Sequence, residues 1–272
     1  ALFLPGGCGG EKGPLNLLPE TGVILAFGDS LTYGTGAAAG KSYPEVLERI
    51  TGRRVVRSGV PGEETEAGLK RLPSVLDAVT PDLVILCHGG NDLLRRRDLR
   101  RTAENLKTMI AMIRDRGGLV VLVGVPALGL GLRTSPMYKT VSEETKTPYL
   151  AETLTEILSS GDLKADYIHP NGKGYARMAA AIADFLVTKG ALTAGDVRNV
   201  PAGASALSDQ LQGPRRDPLL FPKEGSPGFI TVPVDLDESL VTCEKAVFGA
   251  AEGQDGPFYD DKAAVQDSQI EV

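Results

Sequence analysis

The chain of 272 residues has no tryptophan and few other aromatics, seven Phe and seven Tyr. Its core must therefore rest on Leu, Val, Ile and Ala, which suits helices layered on a sheet. Cysteine is scarce as well: three residues, an odd number, exclude a disulfide framework. An excess of basic charge is missing. The formal net charge is −6, residues 201–272 more than account for it, and residues 1–200 are close to neutral. Neither part resembles a nucleic-acid binder, and no nucleic-acid partner is expected. No apolar run approaches the ~20 residues of a membrane span. Histidine is the scarcest reactive group, with two residues, so the search for an imidazole base is confined to His88 and His169.

Against these absences, Val23–Phe27 is an apolar run that stops abruptly at Gly28-Asp29-Ser30. A buried strand ending this way delivers a hydroxyl to the edge of a sheet, which makes Ser30 a candidate nucleophile. The following Gly34–Gly40 loop nearly matches a dinucleotide-binding glycine pattern but has one residue too many before the last glycine. Ser42 then opens a helix with Glu45 as its capping-box partner; Tyr43, Val46, Leu47 and Ile50 share one face, and Gly52 stops it. Residues 54–58 read as a second strand, followed by a loop through Gly62 and a helix through Leu69, Leu72 and Val75.

Leu83–Cys87 is apolar without alternation, as a parallel strand covered on both faces should be, and Cys87 reads as a small core residue. The run Arg95-Arg96-Arg97, with Arg100 and Arg101, reads as a solvated helix start, with a phosphate or anionic-surface site as the alternative. A long helix follows, with Leu99, Ala103, Leu106, Ile110 and Ile113 at helical spacing, and then a fourth strand over 119–123. A loop from Ala127 to Met137 leads to a further helix, and 147–150 is a short fifth strand. The last helix places Tyr175, Met178, Ile182 and Phe185 on one face. Strands alternating with helices predict an α/β, doubly wound parallel sheet with its ligands at the carboxyl ends of the strands.

An acyl-transfer site needs a nucleophile, a base, a group that orients the base, and donors aimed at the oxyanion. Ser30 supplies the first. His169 has Asp166 three residues before it, a spacing that can return the carboxylate to the far ring nitrogen within one turn. His88, at a buried strand end, reads first as structural, with the role of base as the alternative. The Ser30 N–H, the Gly62 N–H and the Asn91 side-chain amide are the candidate oxyanion donors, Gly62 because its missing Cβ allows close approach.

Together these blocks resemble the SGNH hydrolases, also called the GDSL family of esterases and lipases, in the branch of bacterial arylesterases and acyl-CoA thioesterase I/lysophospholipase L1. Gly28-Asp29-Ser30-Leu31-Thr32, Gly59 to Thr65, Gly89-Gly90-Asn91-Asp92 and Asp166 to Asn171 carry the resemblance, which spans roughly residues 23–186. It implies a flavodoxin-like, three-layer sandwich with a mostly parallel five-stranded sheet. It also implies Ser30, Asp166 and His169 as the catalytic triad and Ser30, Gly62 and Asn91 as the oxyanion hole. The expected activity is hydrolysis of small-molecule esters of short to medium acyl chains. Acyl-CoA thioesterase or lysophospholipase activity and carbohydrate O-acetyl esterase activity are the alternatives, with the 127–137 loop as the expected seat of acyl selectivity. No metal or cofactor is needed, and a monomer is expected.

Three segments follow from composition. Residues 1–20 read as a flexible N-terminal segment, 21–193 as the hydrolase domain, and 194–272 as an acidic, largely irregular extension with one strand-like run at 229–234. The residues before Cys8 resemble the end of a bacterial lipoprotein signal, which implies a lipid anchor on Cys8 and a periplasmic or envelope location, with a cytoplasmic enzyme as the alternative.

Overall fold

The computed structural model describes residues 15–127 and 131–198. Cys8, the acidic extension from residue 199 onward and its strand-like run at 229–234 lie outside the described residues. In chain order the strands are β1 (Val23–Gly28), β2 (Arg54–Gly59), β3 (Leu83–Cys87), β4 (Leu119–Val123), β5 (Pro126–Ala127), β6 (Arg133–Thr134) and β7 (Tyr149–Leu150). The helices are α1 (Ser30–Tyr33), α2 (Tyr43–Thr51), α3 (Thr65–Val79), α4 (Gly90–Leu94), α5 (Leu99–Asp115), α6 (Pro136–Thr145), α7 (Thr153–Ser159) and α8 (Gly172–Thr188).

The main sheet has the order β2-β1-β3-β4-β7, and all of its pairings are parallel. Every residue of β3 is buried, as are nearly all of β1 and β4. Burial of both strand faces requires cover on each side. One group of helices, α2 with α8 and α7, and another, α3 with α5 and α6, supply it. This is the doubly wound parallel sheet that the alternation of elements predicts, in the flavodoxin-like three-layer sandwich that the family resemblance implies.

Register brings the special loops to one level. Gly28 at the end of β1 pairs with Gly59 on one side and Cys87 on the other. The loops carrying Ser30, Gly62 and Asn91 therefore leave the sheet within a few residues of a common line. In this strand order β1 and β3 are the neighbours whose connections depart in opposite directions, the place where such sheets open a crevice.

Several elements differ from the sequence reading. The hydrolase body begins before residue 21: Leu15 and Leu18 are buried, and their N–H groups donate to the Lys189 and Ala191 carbonyls. It also runs past 193, where Arg53 pairs with Asp196 at 2.8 Å and the Arg198 N–H donates to the Ile50 carbonyl. The buried face of α5 is Thr102, Leu106, Met109, Ile110 and Ile113, and Leu99 stands exposed at its start. In α8 it is Leu186 that is buried, with Phe185 only half-buried. The loop read from Ala127 contains the small antiparallel pair β5–β6, and α4 and α7 are further additions.

Candidate active site

The end of β1 is shaped by the residues that follow it. Asp29 is buried, and its Oδ1 accepts the Leu31 N–H at 3.1 Å, so it caps α1 and turns the chain sharply into a helix. Ser30 becomes the first residue of that helix, where a backbone N–H has no carbonyl one turn back to bond. The second Asp29 oxygen has no hydrogen-bond partner among the described residues. Burial pushes this carboxyl above the ordinary aspartate value, against the bond from the Leu31 N–H.

At the other end of the chain, the loop before α8 is closed on itself. Lys164 and Pro170 form an antiparallel bridge, and the Ala165 N–H donates to the His169 carbonyl at 2.9 Å. Asn171 ties the base of this loop. Its Nδ2 donates to the Asp162 and Lys164 carbonyls, and its Oδ1 accepts from the Lys173 and Gly174 N–H groups at the start of α8. Within the loop, Asp166 Oδ1 accepts the Ile168 and His169 N–H groups, each at 2.8 Å, while Asp166 Oδ2 lies 2.8 Å from His169 Nδ1.

His169 Nε2 lies 3.0 Å from Ser30 Oγ. With its proton on Nδ1, facing the carboxylate, the ring presents the bare Nε2 lone pair to the serine hydroxyl. Three residues from two distant stretches thus form one hydrogen-bonded chain, Asp166 to His169 to Ser30. Burial alone would raise the Asp166 carboxyl. The bonds from the His169 ring and from the two N–H groups outweigh that and hold it below the ordinary value.

Gly62 and Asn91 are linked to each other. Val60 to Glu63 is a turn closed by the Glu63 N–H on the Val60 carbonyl, with Pro61 and then Gly62 at φ +78° in its centre. A Cβ on Gly62 would meet only Arg95 Nη2, at 3.8 Å. Its left-handed backbone is a reason for glycine here in addition to the space that a missing Cβ leaves. The Asn91 Nδ2 donates to the Glu63 carbonyl at 3.0 Å, which fixes the amide and leaves its second N–H to donate elsewhere.

Asn91, Ser30, His169 and Gly90 line one cleft, with Leu31, Leu94, Val125, Pro126, Leu132, Leu158 and Ile168 as apolar walls. Gly62 is not among the lining residues and is joined to the cleft through its neighbour Glu63. Residues 128–130 of the loop expected to govern acyl selectivity lie outside the described residues, although Leu132 of that loop lines the cleft.

His88 does not serve Ser30. It is fully buried, its Nδ1 accepts the Gly89 N–H at 2.9 Å, and its Nε2 faces Glu63 Oε2 at 3.2 Å. The arginine run also differs from its reading as a solvated helix start, because α5 begins only at Leu99 with Asp98 as its cap. Arg95 and Arg97 pair with Glu64 at 3.1 and 3.0 Å, and Arg95 also donates to the Gly62 carbonyl. No cluster of His, Cys, Asp or Glu suited to a metal is present among the described residues, and no described helix is long and apolar enough to cross a membrane.

Residues 26–177, more than half of the chain, match the model of the GDSL-like lipase/acylhydrolase family. The chain belongs to that family. As a GDSL-like acylhydrolase it is a carboxylic ester hydrolase. Its sequence is 32% identical over 176 residues to an arylesterase of Vibrio mimicus, across 60% of this chain and 88% of that protein. It is 29% identical over 157 residues to thioesterase 1/protease 1/lysophospholipase L1 of Escherichia coli, across 54% of this chain and 75% of that protein. Among solved structures, TesA superposes with a TM-score of 0.55 at 26% identity, over 61% of this chain and 99% of TesA. The GDSL-like match ends before the acidic extension, and it contains Ser30, Gly62, Asn91, Asp166 and His169.

Proposed function

We propose that this acylhydrolase cleaves small esters of short to medium acyl chains through a Ser30 acyl-enzyme. The observation that carries the reading is the unbroken hydrogen-bonded chain from Asp166 through His169 to Ser30 Oγ. Ser30 Oγ attacks the ester carbonyl as His169 Nε2 takes its proton, and Asp166 stabilises the imidazolium that forms. The carbonyl oxygen, now an oxyanion, rests on the Ser30 and Gly62 N–H groups and the Asn91 amide. The C–O bond to the alcohol breaks, and the alcohol departs with the proton from His169. Water, deprotonated by the same ring, releases the acid and restores the hydroxyl.

The apolar walls of the cleft beside Ser30, among them Leu31, Val125, Leu132 and Ile168, support an acyl chain as the part of the ester that it receives. A thioester is the second reading, favoured by the 29% identity to the Escherichia coli protein whose name includes thioesterase. One set of measurements tests both. Ser30→Ala and His169→Ala should each lower kcat on p-nitrophenyl acetate by on the order of 10⁴-fold, and Ser30→Ala should abolish labelling by a fluorophosphonate. A matched ester and thioester series ranks the two substrate classes. Full activity in Ser30→Ala would remove the acyl-enzyme.

A further inference from the structure

Beside the cleft lies a buried ionic cluster that the proposed mechanism does not use. Arg71, on α3, donates from Nε to Glu63 Oε1 at 2.9 Å and from Nη2 to Glu63 Oε2 at 2.7 Å, a two-pronged pair. Its Nη1 donates to Ser58 Oγ at 2.6 Å at the end of β2, and its guanidinium lies 4.2 Å above the Phe27 ring of β1. On the other side of the carboxylate stands His88, just beyond β3. Because its Nδ1 accepts the Gly89 N–H, the ring proton sits on Nε2 and is donated to Glu63. The Tyr138 hydroxyl fixes the His88 carbonyl at 2.8 Å. Gly68 lets α3 approach this ring so closely that a Cβ there would collide with Nε2.

None of Glu63, Arg71 and His88 lines the cleft. The backbone of Glu63, however, stands between the two oxyanion candidates. Its amide follows Gly62 directly, and its carbonyl holds the Asn91 amide. A side chain only 7% exposed, held on one side by Arg71 and on the other by His88, immobilises that backbone. Burial works against the charged carboxylate, but the bonds from Arg71 and His88 prevail and hold it below the ordinary glutamate value. Oxyanion donors act by being fixed before charge develops, and small misplacement forfeits much of their effect.

We propose that Glu63, Arg71 and His88 are positioning residues that set the Gly62 and Asn91 donors for the oxyanion, an inference that rests on the ester-hydrolase mechanism above. A purely structural ion cluster would alter stability and leave the reacting centre alone. A positioning cluster loses transition-state binding through its partner groups, so its effect shrinks once those groups are gone.

The test uses the full chain as wild type, Glu63→Gln, Arg71→Lys, Asn91→Ala and the double variant Glu63→Gln/Asn91→Ala. It reads kcat and KM on p-nitrophenyl acetate, the rate of inactivation by a fluorophosphonate, and the thermal midpoint. In folded Glu63→Gln and Arg71→Lys, kcat should fall about 10- to 100-fold, within the loss for one oxyanion donor, while KM stays within about threefold. Fluorophosphonate inactivation should slow in the same proportion. In the Asn91→Ala background the further loss from Glu63→Gln should be about threefold or less, the signature of two groups acting as one. A folded Glu63→Gln with kcat within about twofold of wild type, or equal fold-losses with and without the Asn91 amide, overturns the proposal. If Glu63→Gln does not fold, His88→Gln leaves the Arg71 pair in place and is read by the same criteria. Labelling of wild type but not of Ser30→Ala is the control. Its failure would count against the acyl-enzyme itself, whereas its success beside an unimpaired Glu63→Gln counts only against the cluster.

Discussion

Asp166 shows how one side chain can orient a base while remaining near solvent. Its side chain is 47% exposed, so water screens its attraction to His169, and its main contribution is geometric: two backbone N–H groups fix one oxygen and the imidazole takes the other. Those bonds lower its carboxyl from the ordinary value of 3.8 despite partial burial. A carboxyl lowered in the folded state adds stability above its unfolded value and loses it as pH falls through the folded value. Asp166→Asn should therefore be less stable than wild type at neutral pH, and the gap should close as pH falls below 3.8. Urea unfolding at a series of pH values measures it, and a gap that ignores pH would refute the assignment. At this scale the sequence was most legible where partners lie three residues apart, as in Asp166 and His169. It was least legible where the reason for a residue is conformational. The Pro61-Gly62 dipeptide announces a turn, yet the functional reading assigned its glycine to space around the oxyanion.

At the scale of elements, α3 is capped from outside its own sequence. Its preceding residue, Glu64, supplies no side-chain bond. Asp92, beside Asn91, accepts the Thr65 N–H at 2.9 Å and the Thr65 hydroxyl at 2.6 Å, and its Oδ1 also takes the Thr102 hydroxyl from α5 at 3.3 Å. One buried carboxylate thus ties the starts of two helices to the loop that carries Asn91. Removing it strands buried donors, so Asp92→Ala should destabilise the fold by about 1–3 kcal/mol. Chemical denaturation reads this directly, and an unchanged midpoint would deny Asp92 the role. Nothing in the sequence near Thr65 reveals the cap, because capping signals are local and this partner is 27 residues away. The same limit hid α7, whose Leu154, Ile157 and Leu158 stand at helical spacing over too few turns to separate a helix from a loop.

For the whole molecule, the candidate site depends on parallel register. Neighbouring strands that end together, Gly28 beside Gly59 and Cys87, send their loops to the crevice where the winding reverses. All five residues assigned to the chemistry lie between 30 and 169, so a chain ended after Arg198 should hydrolyse an ester series with the same order of acyl preference as the full chain. A changed order would give the acidic extension a part in substrate choice. The sequence by itself determined the α/β alternation and the family blocks, and it marked Ser30, Gly62, Asn91, Asp166 and His169 as the candidate site residues. Ser30, Asp166 and His169 are written in short-range signals, an apolar run cut by Gly-Asp-Ser and a carboxylate one turn before a histidine, whereas Gly62 and Asn91 are carried by the family blocks. Only the tertiary structure decided that His88 faces Glu63, that Arg71 joins the ends of β1 and β2, and that the Glu63 carbonyl holds Asn91. Those contacts join residues separated by 8 to 43 positions through burial and sheet register, and neither leaves a periodicity in the chain.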